Sequence, residues 1–342
     1  PLMLSIIMSS LAAGTIMTLT SFHWLLAWMG LELNTLAIIP IIAKQHHPRA
    51  TEAATKYFLT QAAASAMLLF ASTINAWSTG TWDITQLSNE LACIMLTMAL
   101  SMKLGLAPLH FWLPEVLQGT PLNTALIIAT WQKLAPIALL YLTHNTINPT
   151  ILLMMGLMST VVGGWGGLNQ TQTRKIMAFS SIAHLGWMAS ITTISPNLML
   201  LNLILYITMT ASTFMMLILT TSKTIKDVST SWLISPPATA LMLTLFMSLG
   251  GLPPLTGFMP KWLILQELTT NNLSTTATIL ALSALLSLFF YLRLSYTSAL
   301  TTFPTTTQNN KWRFQPKSPT TLTKLTLIPS ILLLPMAPML LF

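Results

Sequence analysis

The sequence predicts an all-α, polytopic membrane protein of about eleven transmembrane helices, arranged as two inverted halves of five segments with one segment appended. Three observations carry this. Of the 342 residues, 53% are hydrophobic and only 6% charged, whereas soluble domains are about a quarter charged. Apolar runs long enough to cross about 30 Å of hydrocarbon recur from end to end. Two of those runs carry the same Gly/Pro interruption.

In chain order the segments fall at about 1–20, 22–43, 56–75, 87–118, 121–142, 149–168, 175–194, 197–221, 236–270, 274–300 and 322–341. The second, FHWLLAWMGLELNTLAIIP, holds Glu32 near its centre. The fourth and ninth are too long for one straight helix and contain internal breakers, with Lys103 beside GLAP and Lys261 just after GGLPPLTGFMP. The fifth, IIATWQKLAPIALL, holds Lys133. The seventh, SSIAHLGWM, holds His184 one turn from Ser180 and Ser181. The halves run 1–142 and 149–300, and 301–342 comprises a loop and the last segment.

Orientation follows from loop charge. Alternate loops hold Lys44, Arg49 and Lys56; Arg174 and Lys175; Lys223 and Lys226; and Lys311, Arg313, Lys317 and Lys324. The opposite loops hold no Lys or Arg, only residues such as Asp83, Glu90, His144 and Glu267. The positive-inside bias puts the N-terminus inside and, with an odd number of spans, the C-terminus outside. Arg293, near the inner end of segment ten, is expected to snorkel to the interface.

Composition excludes several classes. The single cysteine, Cys93, rules out disulfides, Cys-based zinc sites and iron–sulfur clusters within the chain. The formal charge of +8 is scattered over short loops, which does not make a nucleic-acid footprint. GGWGG at 163–167 follows no strand, so it reads as close helix packing through Gly163 and Gly167 and not as a dinucleotide loop. Glu52 and Lys56 read as an i,i+4 surface pair, and His46 and His47 as solvated loop residues. The chain opens at Pro1 without an Arg-rich transit pattern, and a few preceding residues are expected.

Four ionisable residues remain inside the membrane: Glu32, Lys103, Lys133 and Lys261. Each costs about 2.5–3.5 kcal/mol at a helix centre. They must therefore face an interior, pair with one another or line water. A structural ion pair accounts for Glu32 and one lysine but leaves two amines without an acid. One carboxylate among three titratable amines is the composition of a proton relay. His184 is a further member on this reading, or a hydrogen-bonded structural residue; His110, after the break in segment four, extends the path from Lys103.

The interruptions align without a gap. GLAPLHFWLPE at 105–115 matches GLPPLTGFMPK at 251–261, pairing Gly105 with Gly251, Pro108 with Pro254 and Pro114 with Pro260, while Glu115 falls opposite Lys261. The two segments cross in opposite senses. Broken helices at matching places in inverted halves point to a transport site.

The stretches EAATKYFLTQAAAS (52–65), MKLGLAPLHFWLPEVLQG (102–119), GGWGGLNQTQTRKIMAFSSIAHLGWM (163–188) and SLGGLPPLTGFMPKW (248–262) resemble the NADH dehydrogenase subunit 2 family, mitochondrially encoded antiporter-like subunits of respiratory complex I. The resemblance extends over essentially the whole chain, and the Thr-, Leu- and Met-rich composition resembles that of vertebrate members. It implies two inverted five-helix bundles, each with a broken helix, working in proton translocation. Its buried acid falls on Glu32, its first-half lysine on Lys103, its central lysine on Lys133 and its second-half lysine on Lys261; Glu32 and Lys103 are expected to form an ion pair. It further implies partners among the other membrane-arm subunits, bound lipid, and a mitochondrial inner-membrane location with the N-terminus on the matrix side. No cofactor is expected in this chain, because flavin, iron–sulfur clusters, NADH and quinone sites belong to other subunits. Two other classes stay open on sequence grounds. A stand-alone sodium/proton antiporter would transport without redox substrate, and a passive scaffold would tolerate the paired change Glu32→Gln with Lys103→Met.

Overall fold

A computed structural model describes residues 2–44, 46–233, 236–300 and 321–336. Among them the architecture is all-α, with β-type pairing confined to the isolated bridges His23–Asp83 and Gln172–Thr224. The helices are α1 Leu2–Thr20, α2 Trp24–Ala43, α3 Pro48–Thr79, α4 Glu90–Leu104, α5 Trp112–Gly119, α6 Leu122–Ala129, α7 Leu134–Leu142, α8 Pro149–Gly167, α9 Thr173–Ile191, α10 Pro196–Leu219, α11 Ile225–Thr230, α12 Pro236–Gly250, α13 Phe258–Thr270, α14 Ser274–Ala299 and α15 Thr321–Leu332. Seven stretches are single apolar spans: α1, α2, α3, Leu122–Leu142, α8, α10 and α14. The broken pairs α4/α5 and α12/α13, with α9 and α15, supply the other four expected crossings. Lys311, Arg313 and Lys317 of the last basic loop lie outside the described residues, as do the side chain of Lys324 and the end of the eleventh segment.

The chain forms two compact units. The first comprises the described residues up to Ser159, with Ala189–Pro196; the second comprises Thr160–Met188 and the described residues from Asn197 onward. In the first, α1 buries only Leu11, Gly14, Thr15 and Thr18, a single stripe at helical spacing, against α2. The approach is close because Gly14 meets Gly30: a Cβ at Gly30 would lie 2.7 Å from the Thr18 methyl. At 32 residues α3 is about 48 Å long, so it outruns the hydrocarbon. Its first turns carry Glu52 and Lys56, it is N-capped by the His47 ring at Arg49 N, and it ends at Gly80 with φ +73°. His47 is thus a helix cap as well as a loop residue.

Both broken helices stop by the same device. Gly105 (φ +78°) and Gly251 (φ +82°) adopt the left-handed conformation. The next amide then bonds back five residues, Leu106 N to Ser101 O at 2.9 Å and Leu252 N to Met247 O at 3.3 Å. This is a Schellman-type stop, which glycine permits at no steric cost. Segment five, expected as one helix, is instead interrupted by a 3-10 turn, Trp131–Lys133. Pro136 explains it, because its ring nitrogen carries no proton for the carbonyl of Gln132 and its ring crowds that carbonyl.

In the second unit, Gly163 lets α8 lie against the α9 backbone, where a Cβ would meet Ala183 N at 2.7 Å, and Gly167 sits under the Phe290 ring of α14. Arg293 does not snorkel outward. Its guanidinium turns inward to the loop after α8, donating Nη1 to Leu168 O at 2.5 Å and Nη2 to Gln170 O. Carbonyls at the end of a helix attract a cation more strongly than the interface does when the fork reaches two of them.

Candidate functional site

In the first unit four elements converge on a polar interior. Helix α2 supplies Glu32 and Asn34, α3 Tyr57 and Gln61, the last turn of α4 Lys103, and the 3-10 turn Gln132 and Lys133. A narrow cavity of about 10 Å³ is lined by Asn34, Tyr57, Gln61, Lys103, Trp112 and Gln132. That is room for about one water. Lys103 is 4% exposed, and its Nζ, like Gln61 Nε2 and Glu32 Oε2, has no hydrogen-bond partner among the described residues.

The expected Glu32–Lys103 ion pair is not formed. Among the described residues the carboxylate partnerships are those of Lys56, with Glu52 at 2.5 Å and Glu115 at 2.6 Å. Glu32 acts on Lys103 and on Tyr57 through space, from beyond contact distance. Lys103 sits in the last turn of α4, where the helix's own carbonyl end already favours a cation. Glu115 is taken up by α3 through Lys56.

Lys133 is 1% exposed. Its Nζ donates to Leu104 O at 2.5 Å and lies 5.3 Å from the centre of the Trp112 ring. Trp112 Nε1 in turn donates to Met102 O at 3.1 Å. The carbonyl end of α4 is therefore satisfied by an indole and an ammonium. Beside it, Gln132 Nε2 donates to Asn34 Oδ1 at 3.1 Å, tying the helix of Glu32 to the turn of Lys133.

In the second unit Lys261, partly buried, donates to Gly250 O at 2.8 Å. His184 lies against the backbone of Leu249 and near Lys261, with its ring 5.6 Å from that of Tyr206. Lys261 and His184 thus meet at successive residues of the α12 terminus. His110 lies buried within the break between α4 and α5. Its ring centre lies 4.4 Å from that of Phe111, and among the described residues Nδ1 has no partner and no hydrogen bond reaches Lys103. Of the six residues singled out from the sequence, Glu32, Lys103 and Lys133 share one unit's interior with His110, and His184 and Lys261 share the other's.

Sequence reasoning passed over Asn34, Tyr57, Gln61 and Gln132. The available signal was helical spacing: Tyr57 and Gln61 sit one turn apart on the small-residue face of α3, which runs Ala50, Ala53, Ala54 and on to Ala64. Among the described residues there is no cluster of three or more His, Cys, Asp or Glu suited to a metal ion.

Comparison with known proteins agrees with this geometry. The family described as NADH:quinone oxidoreductase/Mrp antiporter, TM, matches residues 21–287, and that described as NADH dehydrogenase subunit 2 C-terminus matches 288–341. NADH-ubiquinone oxidoreductase chain 2 of Xenopus laevis is 58% identical over 340 residues, covering 99% of each chain. That of Salmo salar is 62% identical over 314 residues, covering 92% of this chain and 90% of its own. A chain of respiratory complex I from Thermus thermophilus superposes with a TM-score of 0.82 at 27% identity, covering 98% of this chain and 80% of that one. A chain of the Mrp complex from Dietzia sp. DQ12-45-1b shares the fold, with a TM-score of 0.80 at 18% identity over 86% of this chain and 60% of that one. A match of this extent and identity places the chain in a family, and it belongs to the NADH dehydrogenase subunit 2 family of antiporter-like membrane proteins.

Proposed function

We propose that this chain carries protons through the membrane arm of a proton-translocating NADH:ubiquinone oxidoreductase. Glu32, Lys103, Lys133 and Lys261 form the relay, with His110 and His184 as secondary members. The observation that carries this reading is the placing of three lysine side chains inside the protein at the broken helices. Lys133 and Lys261 each set Nζ against a freed helix carbonyl, and Lys103 Nζ lies at a polar cavity without a partner among the described residues. Charges placed so expensively inside a bilayer are functional.

Glu32 sets the field at Lys103 from a distance, so a shift of α2 relative to α4 changes how firmly Lys103 holds its proton. Lys133, anchored at the same α4 terminus, is the next stop, and the His184–Lys261 pair serves the second unit. A change of 1.36 kcal/mol in differential interaction alters proton affinity tenfold, and moving one charge through 100 mV takes about 2.3 kcal/mol. Modest rearrangements about these carbonyls therefore suffice.

On this reading the redox centres, NADH site and quinone site lie in partner subunits. The chain sits in the mitochondrial inner membrane among other membrane-arm subunits and lipid, with its N-terminus on the matrix side. Lys133→Ala in the intact oxidoreductase is the test. Proton pumping should fall sharply while flavin-site oxidation of NADH by an artificial acceptor is retained, and unchanged pumping would overturn the relay.

A further inference from the structure

The link between α12 and α13, residues 251–257, is held from two sides. On one side Gly257 lies so close to α12 that a Cβ there would run into Ser248 O. On the other, Thr256 Oγ1 donates to Ser330 O of α15 at 2.5 Å, across 74 residues of chain. Thr256 is 1% exposed and Ser330 0%, so water does not compete for either end of the bond. Ser330 belongs to the last turn of α15, where a carbonyl has no amide ahead of it in the helix. The threonine hydroxyl supplies a donor in its place.

The same threonine starts the helix that carries Lys261. Its backbone carbonyl accepts Met259 N at 3.3 Å, and Leu255 O accepts Phe258 N at 3.1 Å, the turn from which α13 grows. Further along that helix Lys261 reaches back to Gly250 O at 2.8 Å. The seat is tight, since a Cβ on Gly251 would lie 2.9 Å from Lys261 Nζ. A rotation of α13 about its first turn would carry Lys261 off the carbonyl, and Thr256 is placed to oppose it. The aligned repeats put His110 opposite Thr256, and His110 Nδ1, though buried, has no partner among the described residues. The bond at Thr256 also joins the two family matches, because Thr256 lies within 21–287 and Ser330 within 288–341.

We propose that Thr256 is a positioning residue of the second break, its hydroxyl holding the start of α13 on α15 so that Lys261 stays seated on Gly250 O. Through this bond the last helix sets how readily Lys261 leaves its carbonyl. The role rests on the relay reading, in which Lys261 carries protons, and adds to it the element that holds Lys261 in place.

The test uses the intact oxidoreductase in sealed inner-membrane vesicles, with pumping expressed per complex assembled on a native gel. Thr256→Val and Thr256→Ala remove the hydroxyl, Thr256→Ser keeps it, Gly251→Ala displaces Lys261 directly, and Lys133→Ala reports on the relay. Pumping should be several-fold slower in the Val and Ala variants, with its pH profile displaced in the same sense as in Gly251→Ala. Amide exchange at Leu255, Phe258 and Met259 should quicken about tenfold, and Thr256→Ser should restore all three readouts. Quickened exchange with unchanged pumping and pH profile reduces the bond to a tie of the linker and overturns the proposal. Equal slowing in all three Thr256 variants without a displaced profile is an effect of packing and overturns it as well. If only the Ser variant assembles, the hydroxyl serves folding and the positioning role falls. Normal pumping in the Val and Ala variants while Lys133→Ala is slow removes the role of Thr256 and leaves the relay standing. Normal pumping in Lys133→Ala removes the relay, and the role of Thr256 with it.

Discussion

Leu104 and Gly250 occupy the same position in the two broken helices, and each offers its carbonyl to a lysine. Lys133 reaches Leu104 O from another helix, 29 residues away, at 2.5 Å. Lys261 reaches Gly250 O from the second half of its own broken helix, 11 residues away, at 2.8 Å. Aligned glycines one residue later, Gly105 and Gly251, free those carbonyls by ending the helix. A repeated backbone feature thus acquires its cation from different places in the two units.

Removing a cation should loosen the break it caps. Lys133→Met keeps most of the stem and loses the ammonium, leaving Leu104 O buried without its donor at a cost of about 1–3 kcal/mol. Hydrogen exchange across 105–113 should quicken by one to two orders of magnitude on that estimate, while exchange in the second unit stays as it was. Unaltered exchange at the α4 break would mean that the Lys133–Leu104 bond does not hold it.

Glycine substitutions should separate strain from function. At Gly80 an added Cβ meets nothing within 4 Å, so Gly80→Ala brings only the left-handed strain of about 1 kcal/mol. At Gly251 the same Cβ lies 2.9 Å from Lys261 Nζ and 3.0 Å from its Cδ. Gly251→Ala should therefore push the lysine off Gly250 O and slow pumping per assembled complex, and Gly80→Ala should not. Equal pumping in the two variants would separate Lys261 from the α12 terminus.

Much of this was legible in the chain itself. A helix stop that needs φ above zero leaves a glycine in the text, and the GLAP and GLPP repeats were visible for that reason. A lysine inside an apolar run is equally conspicuous, because the bilayer makes its cost high. The partners were not legible. Glu32 and Lys103 are the obvious pair by charge, but the two stand apart in the folded chain, and Lys103 Nζ bonds neither the acid nor a carbonyl among the described residues. Arg293 finds its acceptors 125 and 123 residues back, which no local pattern reveals. Tyr57 and Tyr206 are quiet for the opposite reason to lysine: a phenol is mostly apolar ring, so apolar runs carry it cheaply.

The Asn34–Gln132 bond gives a third expectation. It joins the helix of Glu32 to the turn of Lys133, with no charge of its own. Gln132→Leu leaves Asn34 Oδ1 without its donor in a buried site. Pumping should slow while the complex still assembles, and the double change Asn34→Leu with Gln132→Leu should also assemble without restoring pumping. Full pumping in Gln132→Leu would show that the bond only packs α2 against the turn.

At the membrane surface Lys56 stands between Glu52 and Glu115, joining α3 to α5. The cluster is exposed and screened by salt, so its loss should alter stability little. Lys56→Met leaves two like charges facing each other and should reduce complex yield more than Glu52→Gln, which keeps the Lys56–Glu115 pair. Raising ionic strength should narrow the difference, and an unchanged gap at high salt would point to packing of the lysine stem.

On the proposed relay, the origin of each lysine decides how far a proton's departure is felt. When Lys133 gives up its proton, the tie that weakens runs between two separate helices, so the event is reported to a neighbour as a change of grip. When Lys261 does so, the tie lies within one folded-back segment, and the report stays local: a hinge closed by its own pin. On that relay the first unit passes the change between two helices, and the second keeps it within one broken helix.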